Sequence, residues 1–207
     1  MDAIAPQTTD EWKVARRGNL GASRVADAIA KTKSGYAASR QNLMAELIVE
    51  RITGTSQETF TSAAMQWGLD VEPDARAAYS FRTDNEVTET GFIMHPTIAM
   101  TGASPDGLIM DDGLIEIKCP NTATHIDTLL TNTIPGRYVT QMNWQMACTG
   151  RKWCDYVSYD PRMPASHSLF IKRVHLVPTV IASLEDDVRE FLAELEKKLE
   201  ALKQLKV

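Results

Sequence analysis

The sequence predicts an α/β fold in a single domain spanning residues 1–207. Apolar residues recur at helical spacing in some stretches and alternate with period two in others, and the two kinds of stretch follow one another along the chain. No repeat, low-complexity tract or linker interrupts them. With 207 residues and 43% hydrophobic content, the chain is long enough for one substantial core. In order, helices come first, then strands, a helix, a strand pair and a closing helix. Helices are predicted over residues 23–30, over 39–53 with Gly54 as terminator, and over 72–81 with Glu72-Pro73 at the start. Strands are predicted at 87–94, 99–110, 114–118, 152–159 and 169–174, and a helix at 137–149. Leu184, Val188, Phe191, Leu195, Leu199 and Leu202 mark an amphipathic closing helix over 183–205, with Ser183 as its cap.

Several function classes are disfavoured at once. No apolar run approaches 18 residues and the N-terminus lacks a signal-peptide pattern, so neither membrane insertion nor secretion is expected. Cys119, Cys148 and Cys154 have no Cys-x-x-Cys spacing and read as reduced thiols of a cytoplasmic protein, not as iron–sulfur ligands. His95, His125, His167 and His175 show no paired ligand spacing, and no glycine-rich phosphate loop indicates a nucleotide-driven motor.

Residues 104–120 carry the chemistry. Asp111-Asp112-Gly113 separates two short apolar runs, as in a hairpin with glycine at a left-handed position. If Met110 faces Leu114, then Leu108 faces Glu116 and Asp106 faces Lys118. Alternation puts Asp106, Glu116 and Lys118 on one side and Ile109, Ile115 and Ile117 on the other. Two carboxylates on one face of a ribbon can share a cation, and oxygen-only donors favour Mg²⁺, with Mn²⁺ as a substitute. A lysine beside them suits a phosphate whose charge grows in a transition state. The alternative is a surface hairpin whose acids are simply solvated.

Pro105-Asp106, followed by Glu116-Ile117-Lys118, resembles the PD-(D/E)xK signature of restriction-endonuclease-like nucleases. Ser104 to Leu108 and Lys118-Cys119-Pro120 resemble one branch of it, the lambda-exonuclease-like family of phage alkaline exonucleases. Further family blocks resemble, in order, residues 12–23, Trp67-Gly68 with Glu72 and Asp74-Ala75-Arg76, Gln141 to Trp144, and Tyr159 to Met163.

That resemblance implies a restriction-endonuclease-like core, a central mixed β-sheet flanked by helices. It implies Asp106, Glu116, the main-chain carbonyl of Ile117, and Glu72 from the side, as the metal set. Lys118 is the implied catalytic lysine, and Gln141 the residue orienting the attacking water or the phosphate. Arg16, Ser23 and Lys33 fall where the family binds a 5′-terminal phosphate, with Lys33 standing where an arginine is familiar. Arg24, Arg137 and Arg162, together with Lys172, are candidates for a DNA channel. Where the family often has another acid ten positions before Asp106, this chain has Pro96. Glu72, at a helix start, is also where an acid is favoured by the helix dipole alone.

The implied activity is Mg²⁺-dependent degradation of one strand of double-stranded DNA, 5′ to 3′ from an end, leaving 3′ tails for a single-strand annealing recombination protein. The implied assembly is a homotrimeric ring, working in the cytoplasm of a phage-infected or prophage-bearing cell. A related endonuclease and a non-catalytic DNA-end-binding module are the rival readings. Charge is segregated in keeping with this reading. Residues 12–45 hold seven Lys/Arg against one acid, whereas 81–120 hold seven acids against two bases, in a chain of formal net charge -5.

Overall fold

The computed structural model describes residues 3–33, 35–56 and 62–205. Its elements are α1 (Asp10–Arg16), β1 (Leu20–Gly21), a 3₁₀ turn (Ala22–Arg24), α2 (Val25–Ala28), β2 (Lys31–Thr32), β3 (Gly35–Tyr36), α3 (Ala38–Thr53) and α4 (Ala63–Thr83). They continue with β4 (Val87–Thr88), β5 (Ile93–Met94), β6 (Thr101–Ala103), β7 (Gly107–Ile109), β8 (Gly113–Lys118), α5 (Thr122–Thr131), α6 (Gly136–Thr149), β9 (Trp153–Tyr159), β10 (Leu169–His175) and α7 (Pro178–Gln204).

The main sheet has strand order β10-β9-β8-β7-β4, and β8 runs parallel to β9 while its other pairings are antiparallel. A smaller sheet, β1-β6-β5, and the β2-β3 hairpin stand beside it. Alternation along β8 divides its two faces. Ile115 and Ile117 turn with Ile109 and Val157 toward Ala75 and Tyr79 of α4. Leu114 turns the other way, with Cys154 and Tyr156, onto Met142 and Met146 of α6. A third cluster joins α2, α3, α6 and α7 around Leu20, Leu43, Trp144, Val188 and Phe191.

Helix boundaries follow local chemistry. Thr9 accepts from the Trp12 amide to open α1, and Asn121 does the same for Thr124 in α5. Gly54, at φ 67, closes α3 where the sequence places its terminator. Two starts differ from expectation. α4 begins at Ala63, so Pro73 lies inside it, not at its entrance. Pro73 has no amide to donate to the Leu69 carbonyl one turn earlier, and Leu69 is an exposed residue. α7 begins at Pro178, a residue pre-set for the first helical turn, and Ser183 is interior to it. The stretches predicted at 87–94 and 99–110 are each split into two short strands, and α1 and α5 stand where no helix is predicted.

The hairpin pairing also differs, by two residues. Gly107 pairs with Ile115, Leu108 with Leu114 and Ile109 with Gly113, so the loop is Met110-Asp111-Asp112. Met110, at φ 46, takes the left-handed position expected of Gly113. Gly113 is required for space instead, because a Cβ there would lie 2.1 Å from the Trp153 ring. Extending the pairing brings Asp106 level with Glu116 rather than Lys118, while the division of faces is unchanged.

Arg151 closes this turn. Its guanidinium donates to the carbonyls of Ile109 (3.1 Å), Met110 (2.8 Å) and Gly113 (2.7 Å). Charge-assisted hydrogen bonds of this kind are worth about 1.5–3 kcal/mol. Arg151→Ala is therefore expected to lower stability by about 2 kcal/mol in urea unfolding; an unchanged midpoint would show that the turn holds itself.

Candidate active site

Asp106, Glu116 and Lys118 converge at the end of the β7–β8 ribbon, beneath α6. The Asp106 carboxylate accepts the Ile117 amide at 2.6 Å, which ties the residue before β7 to the far end of β8. Lys118 forms an ion pair with Glu116. From α6, Gln141 donates to Glu116 Oε1 at 2.7 Å and Gln145 donates to Oε2 at 2.6 Å. These glutamines are four residues apart on one helix face, so both reach the same carboxylate. Glu116 is completely buried, whereas Lys118 remains partly exposed.

The electrostatics follow from this crowding. Burial, and then the neighbouring Glu116 charge, push the Asp106 carboxyl well above its ordinary range. Burial alone would lower Lys118, but Glu116 and Asp106 outweigh it and hold the ammonium above its usual value. Burial also raises the Cys154 thiol, whose Sγ keeps its proton and lies 3.9 Å from Gln145 Oε1 as a weak donor.

A cleft of about 1070 Å³ opens over these groups. Ile117, Lys118, Gln141 and Glu72 line it, as do Ser23, Arg137 and Arg162. Glu72 is paired with Arg76 at 2.7 Å across one helical turn, and burial raises its carboxyl. Arg162 is locked in place: it donates to both Asp160 oxygens and to the Pro120 carbonyl, and its guanidinium lies 4.5 Å over the Trp67 ring. Arg137 rests against Tyr138.

A smaller pocket of about 160 Å³ adjoins Asp106 and Gln141, lined by Arg16, Ser23, Trp12 and Ser104. Arg16 lies 4.3 Å over the Trp12 ring, and Trp12 Nε1 donates to Ser104 Oγ at 2.9 Å. No carboxylate among the described residues lies within ion-pair distance of Arg16. The basic N-terminal segment thus places Arg16 on a pocket that Asp106 also lines.

Other candidates are not brought into either space. Arg24 spends its guanidinium on Glu46 (3.0 and 3.1 Å) and Asp27. Lys33 is exposed on the β2–β3 turn, and Lys172 donates to the Asn132 carbonyl. Gln145 was not picked out by sequence reasoning, although its spacing of four from Gln141 on an amphipathic helix is a signal that finds it. Ser104, two residues before Asp106, was likewise unassigned.

The donor set fits a hard cation. Two carboxylates next to the Ile117 main chain offer oxygen only. Among the described residues no group of three or more His, Cys, Asp or Glu side chains is gathered to hold a metal, so an ion here would rest on Asp106, Glu116 and the Ile117 carbonyl.

The YqaJ-like viral recombinase domain model matches residues 11–152. The chain is similar, at 55% identity, to the crystal structure of an alkaline exonuclease from Laribacter hongkongensis, LHK-Exo, with a TM-score of 0.89 over 95% of this chain and 97% of that one. The LHK-Exo complex with dAMP matches at 55% identity over the same shares, with a TM-score of 0.90. A phage-related exonuclease from Haemophilus somnus 129PT shares the fold, with a TM-score of 0.69 at 13% identity over 89% of this chain and 94% of that one. No curated protein matches in sequence. The fold is therefore the restriction-endonuclease-like α/β core with its mixed sheet.

The Asp160–Arg162 pair that sets one wall of the cleft has a pH signature. Burial raises the Asp160 carboxyl, but the Arg162 hydrogen bonds outweigh it and hold the value at about 2, below the ordinary 3.8. Its contribution to stability is complete above the unfolded value and is lost as pH falls toward 2. The stability difference between the native chain and Asp160→Asn is expected to be constant above about pH 5 and to shrink below pH 4 in acid-titrated unfolding. A difference that persists undiminished at pH 2 would contradict the pairing.

Proposed function

Since the chain belongs to the YqaJ-like viral recombinase family, we propose that it is a Mg²⁺-dependent exodeoxyribonuclease that digests one strand of double-stranded DNA from a 5′ end. The single observation that carries this reading is the convergence of Asp106, Glu116 and Lys118 under a cleft that also receives Gln141 and borders the Arg16 pocket. A Mg²⁺ ion held by Asp106, Glu116 and the Ile117 carbonyl would lower the pKa of a water and offset phosphate charge. The protein's own residues divide the remaining work. Lys118, fixed by Glu116 and open to the cleft, places a positive charge beside the scissile phosphate. Gln141, half-buried at the cleft edge, reaches both Glu116 and an entering phosphate. Arg16 and Ser23 bind the terminal 5′-phosphate, which sets the register of the strand against the carboxylates. Arg137 and Arg162 guide the backbone along the cleft.

The same reading carries a homotrimeric ring around the duplex, a single-strand annealing partner for the 3′ tails, and work in the cytoplasm of a phage-infected or prophage-bearing cell. The support for these is the family and the 55% identity to an alkaline exonuclease.

Two outcomes test the reading. Linear duplexes labelled on either strand, with or without a 5′-phosphate, are expected to be degraded from the phosphorylated 5′ end with Mg²⁺ and not with a chelator, while covalently closed circles resist. Cutting of closed circles would make the protein an endonuclease, and binding of ends without cutting would make it an end-binding module. Lys118→Ala is expected to reduce turnover by about 10²–10³ with DNA-end binding retained. Full activity in that variant would remove the lysine from the mechanism.

A further inference from the structure

Resting on the nuclease reading above, we propose that Gln145 is a positioning residue, which fixes the Glu116 carboxylate as a ligand for the divalent cation it would share with Asp106. A carboxylate has about four lone-pair sites. Glu116 Oε1 already receives two donors, Gln141 and Lys118, whereas Oε2 receives Gln145 alone among the described residues. Three donors thus leave the carboxylate capacity for a cation, and the Gln145 bond holds the group in place.

The bond is built to stay. Gln145 is fully buried, so water cannot replace it. Its amide orientation is set by the Cys154 thiol, which faces Oε1 at 3.9 Å and leaves Nε2 directed at Glu116. A flipped amide would oppose two acceptor oxygens. Gln141 differs in this respect, because it lines the cleft where a phosphate would enter. The two glutamines thus share one carboxylate but divide the tasks, one meeting substrate and the other holding the ligand still.

The test compares Gln145→Met, of similar length and without a donor, with the native chain. Outer-shell partners of this kind typically govern metal affinity by about 10–100-fold. Mn²⁺ binding measured by electron paramagnetic resonance, without DNA, is expected to weaken by about tenfold or more. The Mg²⁺ concentration for half-maximal cleavage should rise in step, while KM for DNA ends stays unchanged. A Gln145→Met protein that binds Mn²⁺ as tightly as the native chain overturns the proposal, even if its melting temperature falls, since a purely structural role would give that result. If Gln145→Met does not fold, Gln145→Asn, which withdraws the amide by one methylene, is measured in the same way. Weakened Mn²⁺ binding there supports the proposal, and native-like binding overturns it. A native chain that neither binds Mn²⁺ nor cuts DNA would instead remove the nuclease reading itself.

Discussion

Two carboxylates are forced together where the β7–β8 ribbon meets α6, and much of the surrounding structure answers that constraint. Like charges held this close in a protein repel by far more than they would in water. Burial adds to this by removing water from the ionised forms. Asp106 registers the conflict directly, because burial and Glu116 both push its carboxyl upward. The compensation is also local: the Lys118 ammonium, the Ile117 amide and two glutamine amides all donate into the pair. A site that gathers negative charge this closely, and still leaves carboxylate lone pairs open, is chemically suited to a small divalent cation.

The sheet supplies the precision. Parallel pairing of β8 with β9 sets Glu116 against Tyr156 and Lys118 against Ser158, and the antiparallel pairing with β7 brings Asp106 to the same end. Because β8 is packed on both faces, a slip of one residue would exchange Glu116 and Lys118 with Ile115 and Ile117 and place charge against α4. The contact of Gly113 with Trp153 and the Arg151 bonds to the turn pin that register from the opposite end. Stability determinants far from the cleft are in this sense also determinants of site geometry.

The parts of the molecule that were legible in the sequence share a physical reason. The observed pairing differs from the expected one by two residues, an even shift that keeps period-two alternation in phase, so Asp106, Glu116 and Lys118 share a face as expected. Gly54 and the leucine spacing of α7 are strong local signals, and α3 and the body of α7 follow them. Tertiary context overrode weaker cues. Pro73 lies within α4, one turn after the exposed Leu69, and Met110 takes a left-handed conformation in a turn whose carbonyls Arg151 gathers. Arg24 looked available as a cation, but Glu46 lies 22 residues away in sequence and its contact with Arg24 is set only by the packing of helices. The same limit hid Gln145, whose partner comes from a strand 29 residues earlier.

Cation sharing between Asp106 and Glu116 underlies both the proposed chemistry and the roles of the residues around it. Crystals grown with Mn²⁺ and measured at the manganese absorption edge address it most directly. An anomalous peak coordinated by Asp106, Glu116 and the Ile117 carbonyl is the result that this account requires. Mn²⁺ absent from that position at saturating concentration, with Glu116 held only by Lys118 and the two glutamines, would contradict it.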